Sequence, residues 1–157
     1  MQSIFYYNTE IGKIGIEENG AAITKIFFIN EDLQEDISEK SETELIKEAI
    51  RQLNEYFQGK RNVFDLPLEP KGTEFQKRVW NALKEIPFGE TKSYGDIAKI
   101  IGNEKAARAV GMANNKNPIP IIIPCHRVIG ANGKLVGYAG GLHIKEKLLK
   151  IEKNYNK

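Results

Sequence analysis

Apolar positions repeat with two different periods along this chain, and the change of period divides it. Residues 4–7, 11–17 and 22–29 are rich in β-branched and aromatic side chains. They are separated by Asn8-Thr9-Glu10 and Asn19-Gly20, which predicts three strands in an antiparallel meander. Residues 30–42 are polar and acidic, a connection with nothing to bury. Leu45, Ile46, Ala49, Ile50, Leu53, Tyr56 and Phe57 then fall on one face at helical spacing until Gly59 stops the pattern, giving a helix able to cover one side of the sheet. A short strand is expected at 63–66. Two prolines and a glycine between residues 67 and 72 read as a linker, so the expected domains are 1–68 and 69–157.

The second half reads as helical. Thr73 and Gln76 form a capping-box pattern, and Phe75, Val79, Trp80, Leu83 and Ile86 give the helix after them a core face. Ser93 is placed to cap a second helix over 94–101. Gly102-Asn103 turns into a third over 104–114, and a last helix spans 143–153. Two short helices about a tight glycine-containing turn make a helix-turn-helix. The fold class is therefore α+β: an N-terminal antiparallel sheet with a covering helix, then a C-terminal helix-turn-helix domain. With Ala106, Val110 and Ala113 turned inward, the third helix presents Ala107, Arg108, Gly111 and Asn115. That face has almost no long side chains for reading base edges. Small residues around one arginine suit close, sequence-independent approach to a DNA groove.

Charge sharpens this picture. Residues 1–70 carry seven Lys/Arg against fourteen Asp/Glu, whereas residues 71–157 carry sixteen against seven, the footprint of a nucleic-acid-binding domain beside an acidic partner. With 41% hydrophobic and 28% charged residues the chain is of ordinary globular composition. Its longest apolar run, 118–124, is too short for a bilayer, and the N-terminus lacks the pattern of a secretory signal, so a cytoplasmic protein without membrane attachment is expected. One cysteine excludes an internal disulfide. With only two histidines beside it, neither a Cys/His metal site nor any other cofactor is expected.

That single cysteine, Cys125, sits in Asn117-Pro118-Ile119-Pro120-Ile121-Ile122-Ile123-Pro124-Cys125-His126-Arg127-Val128. Three prolines fix φ around a β-branched run and leave the thiol few positions. The next two residues put an imidazole and a guanidinium near a sulfur that attacks only as thiolate. Glu152, on the last helix beside Leu148 and Leu149, is an acid that wants a partner on a mainly apolar face, and His126 is the candidate. The glycines of 130–141 permit turns and close approach to a ligand, with Tyr138 available to stack on a base.

Taken together and in order, Ala106-Ala107-Arg108-Ala109-Val110-Gly111, Asn117-Pro118-Ile119-Pro120, Pro124-Cys125-His126-Arg127-Val128 and Gly137-Tyr138-Ala139-Gly140-Gly141-Leu142 resemble the O6-alkylguanine-DNA alkyltransferase family. The detailed match covers about residues 72–152. The resemblance implies a ribonuclease-H-like N-terminal domain and a winged helix-turn-helix-like C-terminal one. It further implies a monomer that flips alkylated guanine, and also alkylated thymine, out of double-stranded DNA and moves the alkyl group irreversibly to its own cysteine. On that implication Cys125 is the acceptor and His126, reaching the thiol through a water and held by Glu152, is the base. Asn117 supports the turn, and Tyr94 bonds the flipped base and helps to protonate it. Tyr138 and the backbone of Val128 and Ala139 line the pocket, while Arg108 fills the gap in the stack. Ala139 stands where many members have serine, so a hydroxyl contact would be lost and the backbone donor kept. Two other readings of the residues stay open here: a DNA-binding damage sensor without repair, against which Cys125 argues, and a cysteine hydrolase with turnover.

Overall fold

The period-two stretches form β1 (Ser3–Thr9), β2 (Gly12–Glu18) and β3 (Ile23–Ile29) in a computed structural model that describes residues 2–29, 40–138 and 140–155. The strands pair antiparallel in the order β1-β2-β3, with Thr9 opposite Gly12 at a tight turn and Lys13 opposite Ile29. Ile14, Ile16 and Ile26 are buried with Ile46, Ala49, Leu53, Tyr56 and Phe57 of helix α1 (Glu44–Phe57), which packs on β1 and β2. Thr43 starts this helix by accepting the Ile46 amide hydrogen at its hydroxyl, and the same hydroxyl donates to the buried Glu18 carboxylate 2.9 Å away. The Phe27 ring lies over Gly15 on the other side of the sheet, where a Cβ would come within 2.4 Å of it.

The strand expected at 63–66 is absent. The buried Gln52 side chain occupies that backbone instead, accepting from the Asp65 amide at 2.9 Å and donating to the Asp65 carbonyl at 3.1 Å. Pairing is limited to one bridge between Leu68 and Ile23, next to Pro67, which has no amide hydrogen to extend a ladder. Of the expected acidic connection, residues 30–39 lie outside the described residues.

The chain divides into two compact units, Met1–Pro70 and Lys71–Lys157. The second unit begins with α2 (Glu74–Lys84), whose Thr73/Gln76 capping box is formed and whose Val79, Trp80 and Leu83 are buried. Gly72 lies under the Trp80 ring, where a Cβ would be 2.4 Å away. A second capping box, Ser93 with Asp96, starts α3 (Tyr94–Ile100), and α4 (Ala107–Asn115) follows the turn at Gly102. Both differ from the expected spans. Helix α4 begins three residues late: residues 104–105 form a turn, and Ala106 stands at its N-cap without a capping side chain. The last helix, α5, is longer than expected and runs Leu142–Tyr155. Two strands that the pattern did not suggest, β4 (Lys92–Ser93) just before α3 and β5 (Val128–Ile129) between α4 and α5, pair in parallel.

Candidate active site

The proline-framed segment folds on Asn117. Its amide nitrogen donates to the Ile123 carbonyl at 2.8 Å and its amide oxygen accepts from the Ile119 backbone at 3.0 Å, so one side chain closes the loop from both ends. Within it Ile121 has φ of 75°, a left-handed conformation that a β-branched residue adopts only when its surroundings force it. Cys125 opens a 3-10 turn, Cys125–Arg127, directly after Pro124 and is a buried free thiol. Asn114 of α4 donates to its carbonyl at 3.3 Å. Burial pushes the thiol pKa up to about 11, against the opposing influence of the Asn117 side chain, the Lys145 charge and the Tyr138 side chain. At neutral pH the resting sulfur is therefore protonated, and a base is needed to make it a nucleophile.

His126 is fully buried beside it. Its Nε2 lies 2.5 Å from Glu152 Oε2, so the tautomer that donates from Nε2 carries its lone pair on Nδ1. Burial lowers the imidazole pKa despite the carboxylate, which keeps the ring neutral. Glu152 comes from α5 and is itself 1% exposed. Burial works to raise its pKa, but His126 and Arg127 outweigh that effect and hold it at about 2. Arg127 donates to both carboxylate oxygens at 2.8 and 3.1 Å, and the Gly89 amide donates to one of them at 3.0 Å. This corrects the expectation of a guanidinium near the sulfur. Arg127 is spent on Glu152, on the Ile86 carbonyl at 2.6 Å and over the Phe88 ring.

The β4–β5 pair brings Tyr94 to the same place, because Ser93 both pairs with Ile129 and caps α3 at its Tyr94 end. The Tyr94 hydroxyl donates to the Val136 carbonyl at 3.0 Å. Val128 is buried in β5, and Tyr138 is half-buried near the sulfur. Ala139 lies outside the described residues. Two residues at this site escaped the sequence reading. Lys145 is wholly buried in α5, and Asn114 is buried at the end of α4. The available signal for Lys145 was its seven-residue spacing from Glu152, two turns along one helix face.

The face of α4 also differs from expectation. Arg108 and Asn115 are exposed, but Ala107 and Gly111 are half-buried, Gly111 lying against the Tyr94 ring. Ala109 and Met112, the latter 66% exposed, take the outward positions instead. The helix starts late and turns Gly111 toward Tyr94 of α3. Asn115 sets its amide against Gly137, where a Cβ would be 3.1 Å away. Among the described residues no group of His, Cys, Asp and Glu is arranged to hold a metal ion, and no helix is long and apolar enough to cross a membrane.

Residues 5–70 match the ribonuclease-like domain of 6-O-methylguanine DNA methyltransferase, and residues 74–154 match the DNA binding domain of the same family. A methylated-DNA–protein-cysteine methyltransferase of Methanosarcina acetivorans is 71% identical over 109 residues, 69% of this chain and 70% of the relative. The constitutive methylated-DNA–protein-cysteine methyltransferase of Bacillus subtilis is 49% identical over 157 residues, covering 94% of this chain and 95% of that one. Among solved structures, Mycobacterium tuberculosis OGT in complex with DNA is similar with a TM-score of 0.89 at 45% identity, over 98% of this chain and 94% of that one.

Proposed function

The chain belongs to the 6-O-methylguanine DNA methyltransferase family, and from that premise we propose that it repairs DNA by drawing the alkyl group of O6-alkylguanine onto Cys125, once per molecule. The observation that carries this reading is the buried row Cys125, His126, Glu152: a protonated thiol beside a neutral imidazole whose far nitrogen is fixed by an ionised carboxylate. His126 takes the thiol proton through an intervening water. The thiolate attacks the alkyl carbon, the S–C bond forms as the C–O bond breaks, and the electron pair leaves with guanine. A proton donated to the departing base, with Tyr94 assisting, balances the one lost by the thiol. The product thioether has a stable S–C bond and no thiol proton left to give up, so the protein stops there.

Access requires the base to leave the stack, at a cost of a few kcal/mol. Arg108 on the exposed side of α4, with the excess of lysine and arginine in residues 71–157, supports a reading in which the arginine fills the gap and phosphate contacts offset that cost. DNA binding and alkyl acceptance then both belong to residues 69–157. Tyr138 and the backbone of Val128 line the pocket, Asn117 holds the turn, and Asn115, exposed like Arg108, joins it at the groove. One chain serves one lesion, without cofactor.

The reading is tested by mixing excess duplex bearing O6-methylguanine with the protein and counting bases restored. One equivalent per chain, followed by no further repair, is expected, with none from a Cys125→Ser variant. Continued turnover, or binding without repair, contradicts it.

A further inference from the structure

Met112 lies inside helix α4 yet is 66% exposed. Inside the other helices of residues 71–157 the exposed positions carry polar or charged side chains, and large exposed apolar ones stand only at helix ends, at Ile100, Leu142 and Tyr155. Those three sit where a helix frays. Met112 has helix on both sides, and its direction is fixed from within. Val110 and Ala113 are buried, the Trp80 indole donates to the Ala113 carbonyl at 2.8 Å, and Gly111 rests against the Tyr94 ring. With those neighbours turned inward, helical geometry sends Met112 outward.

Met112 follows Arg108 by four residues, so the two share one face a single turn apart, with the small Ala109 beside them. Helix α4 contains no acid. Lys105, Arg108 and Lys116, along and beside it, are exposed and outnumber Glu104, the acid just before the helix. That charge suits a phosphate backbone, but it does not account for a thioether in the middle of the face. A flexible apolar side chain next to a cation has a use on DNA. Wedges such as methionine enter a base step from the minor groove and partly unstack it, and an unbranched side chain adapts to whichever step it meets.

We propose that Met112 is an apolar wedge at the minor groove, working one turn behind Arg108. It packs on the deoxyribose edges and the base step beside the lesion and loosens that step, while Arg108 occupies the gap that opens. The cost of unstacking depends on the step, because pyrimidine–purine steps open more readily than purine–purine ones. A wedge that supplies its own apolar contact makes repair less dependent on which base precedes the lesion. The inference rests on the reading of the chain as a repair protein whose Arg108 fills the stack.

The test follows single-turnover repair of two duplexes, with O6-methylguanine preceded by thymine in one and by adenine in the other. Wild type, M112L, M112A and M112Q are compared, each with a melting curve. M112Q keeps the length of the side chain and removes its apolar tip, so it and M112A should repair about fivefold more slowly, with the larger loss after adenine. M112L should stay within about twofold of wild type on both duplexes. The free base O6-benzylguanine needs no groove, and every variant should react with it as wild type does. An M112Q that repairs both duplexes at the wild-type rate overturns the proposal. So does an M112Q slowed equally on duplex and free base, which would put the effect at Cys125 rather than on DNA. Equal losses after thymine and after adenine also count against it, because the residue would then hold DNA without opening a step. Failure of the underlying reading looks different: wild type itself would restore no guanine, or R108A would repair as fast as wild type.

Discussion

Glu152 receives the His126 ring, two nitrogens of Arg127 and the Gly89 amide, and that saturation keeps a buried carboxylate ionised. Its pKa is lowered from the ordinary 4.5 to about 2, so the stability it contributes is complete above 4.5 and drains away as pH falls toward 2. Denaturant unfolding of E152Q should accordingly show a flatter dependence on pH across that interval than wild type. The same variant should repair roughly a hundredfold more slowly at neutral pH, because the imidazole loses its orienting acceptor. An unchanged repair rate in a folded E152Q would separate Glu152 from the chemistry. At this scale the sequence was informative where side chains are unusual by type: the one cysteine, the three prolines around it and the acid on an apolar face. It was silent on the left-handed Ile121, because a forced φ leaves no trace in periodicity, and it marked Lys145 only by its seven-residue spacing from Glu152. It misdirected on Arg127, since adjacency in sequence does not say which way a guanidinium turns.

Among the elements, Ser93 does two jobs within one residue. It pairs with Ile129 and accepts the Asp96 amide hydrogen at 3.0 Å, so it both starts α3 and aims Tyr94. Ser93→Ala should lower stability by about 1 kcal/mol in urea unfolding. It should also slow repair more than that loss of stability explains, whereas Thr73→Ala, at the capping box that starts α2, should lower stability by a similar amount without slowing repair. Equal effects of the two on repair would deny Ser93 a positioning role. Helices were legible because capping pairs and apolar faces recur over several turns, as in Thr73-Gln76 with Val79, Trp80 and Leu83. The two-residue strands β4 and β5 were not, as two residues hold no period. The strand expected at 63–66 was lost to Gln52, a polar side chain whose two bonds to Asp65 replace a strand partner. No pattern of apolar positions reports such a competitor.

At the scale of the whole molecule, the charge excess lies in residues 71–157, where sixteen lysines and arginines face seven acids. Affinity for undamaged duplex should fall steeply with salt and depend little on sequence. In Arg108→Ala, repair of a lesion in duplex DNA should drop about tenfold or more, because the energy that offsets flipping is lost, while reaction with the free base O6-benzylguanine should not. A variant that repairs duplex at the wild-type rate would remove the arginine from that role. The helix-turn-helix and the basic half were readable from spacing and composition. The actual outward face of α4, with Met112 exposed and Gly111 turned to Tyr94, required the structure, since it depends on where the helix begins. The central claim is that the alkyl group ends on Cys125. The most direct measurement is to incubate the protein with a substoichiometric duplex carrying O6-methylguanine, digest it, and weigh the peptide that contains this cysteine. One added methyl on Cys125, in proportion to lesion supplied, is the predicted result. Restored guanine with that peptide unmodified would contradict the account.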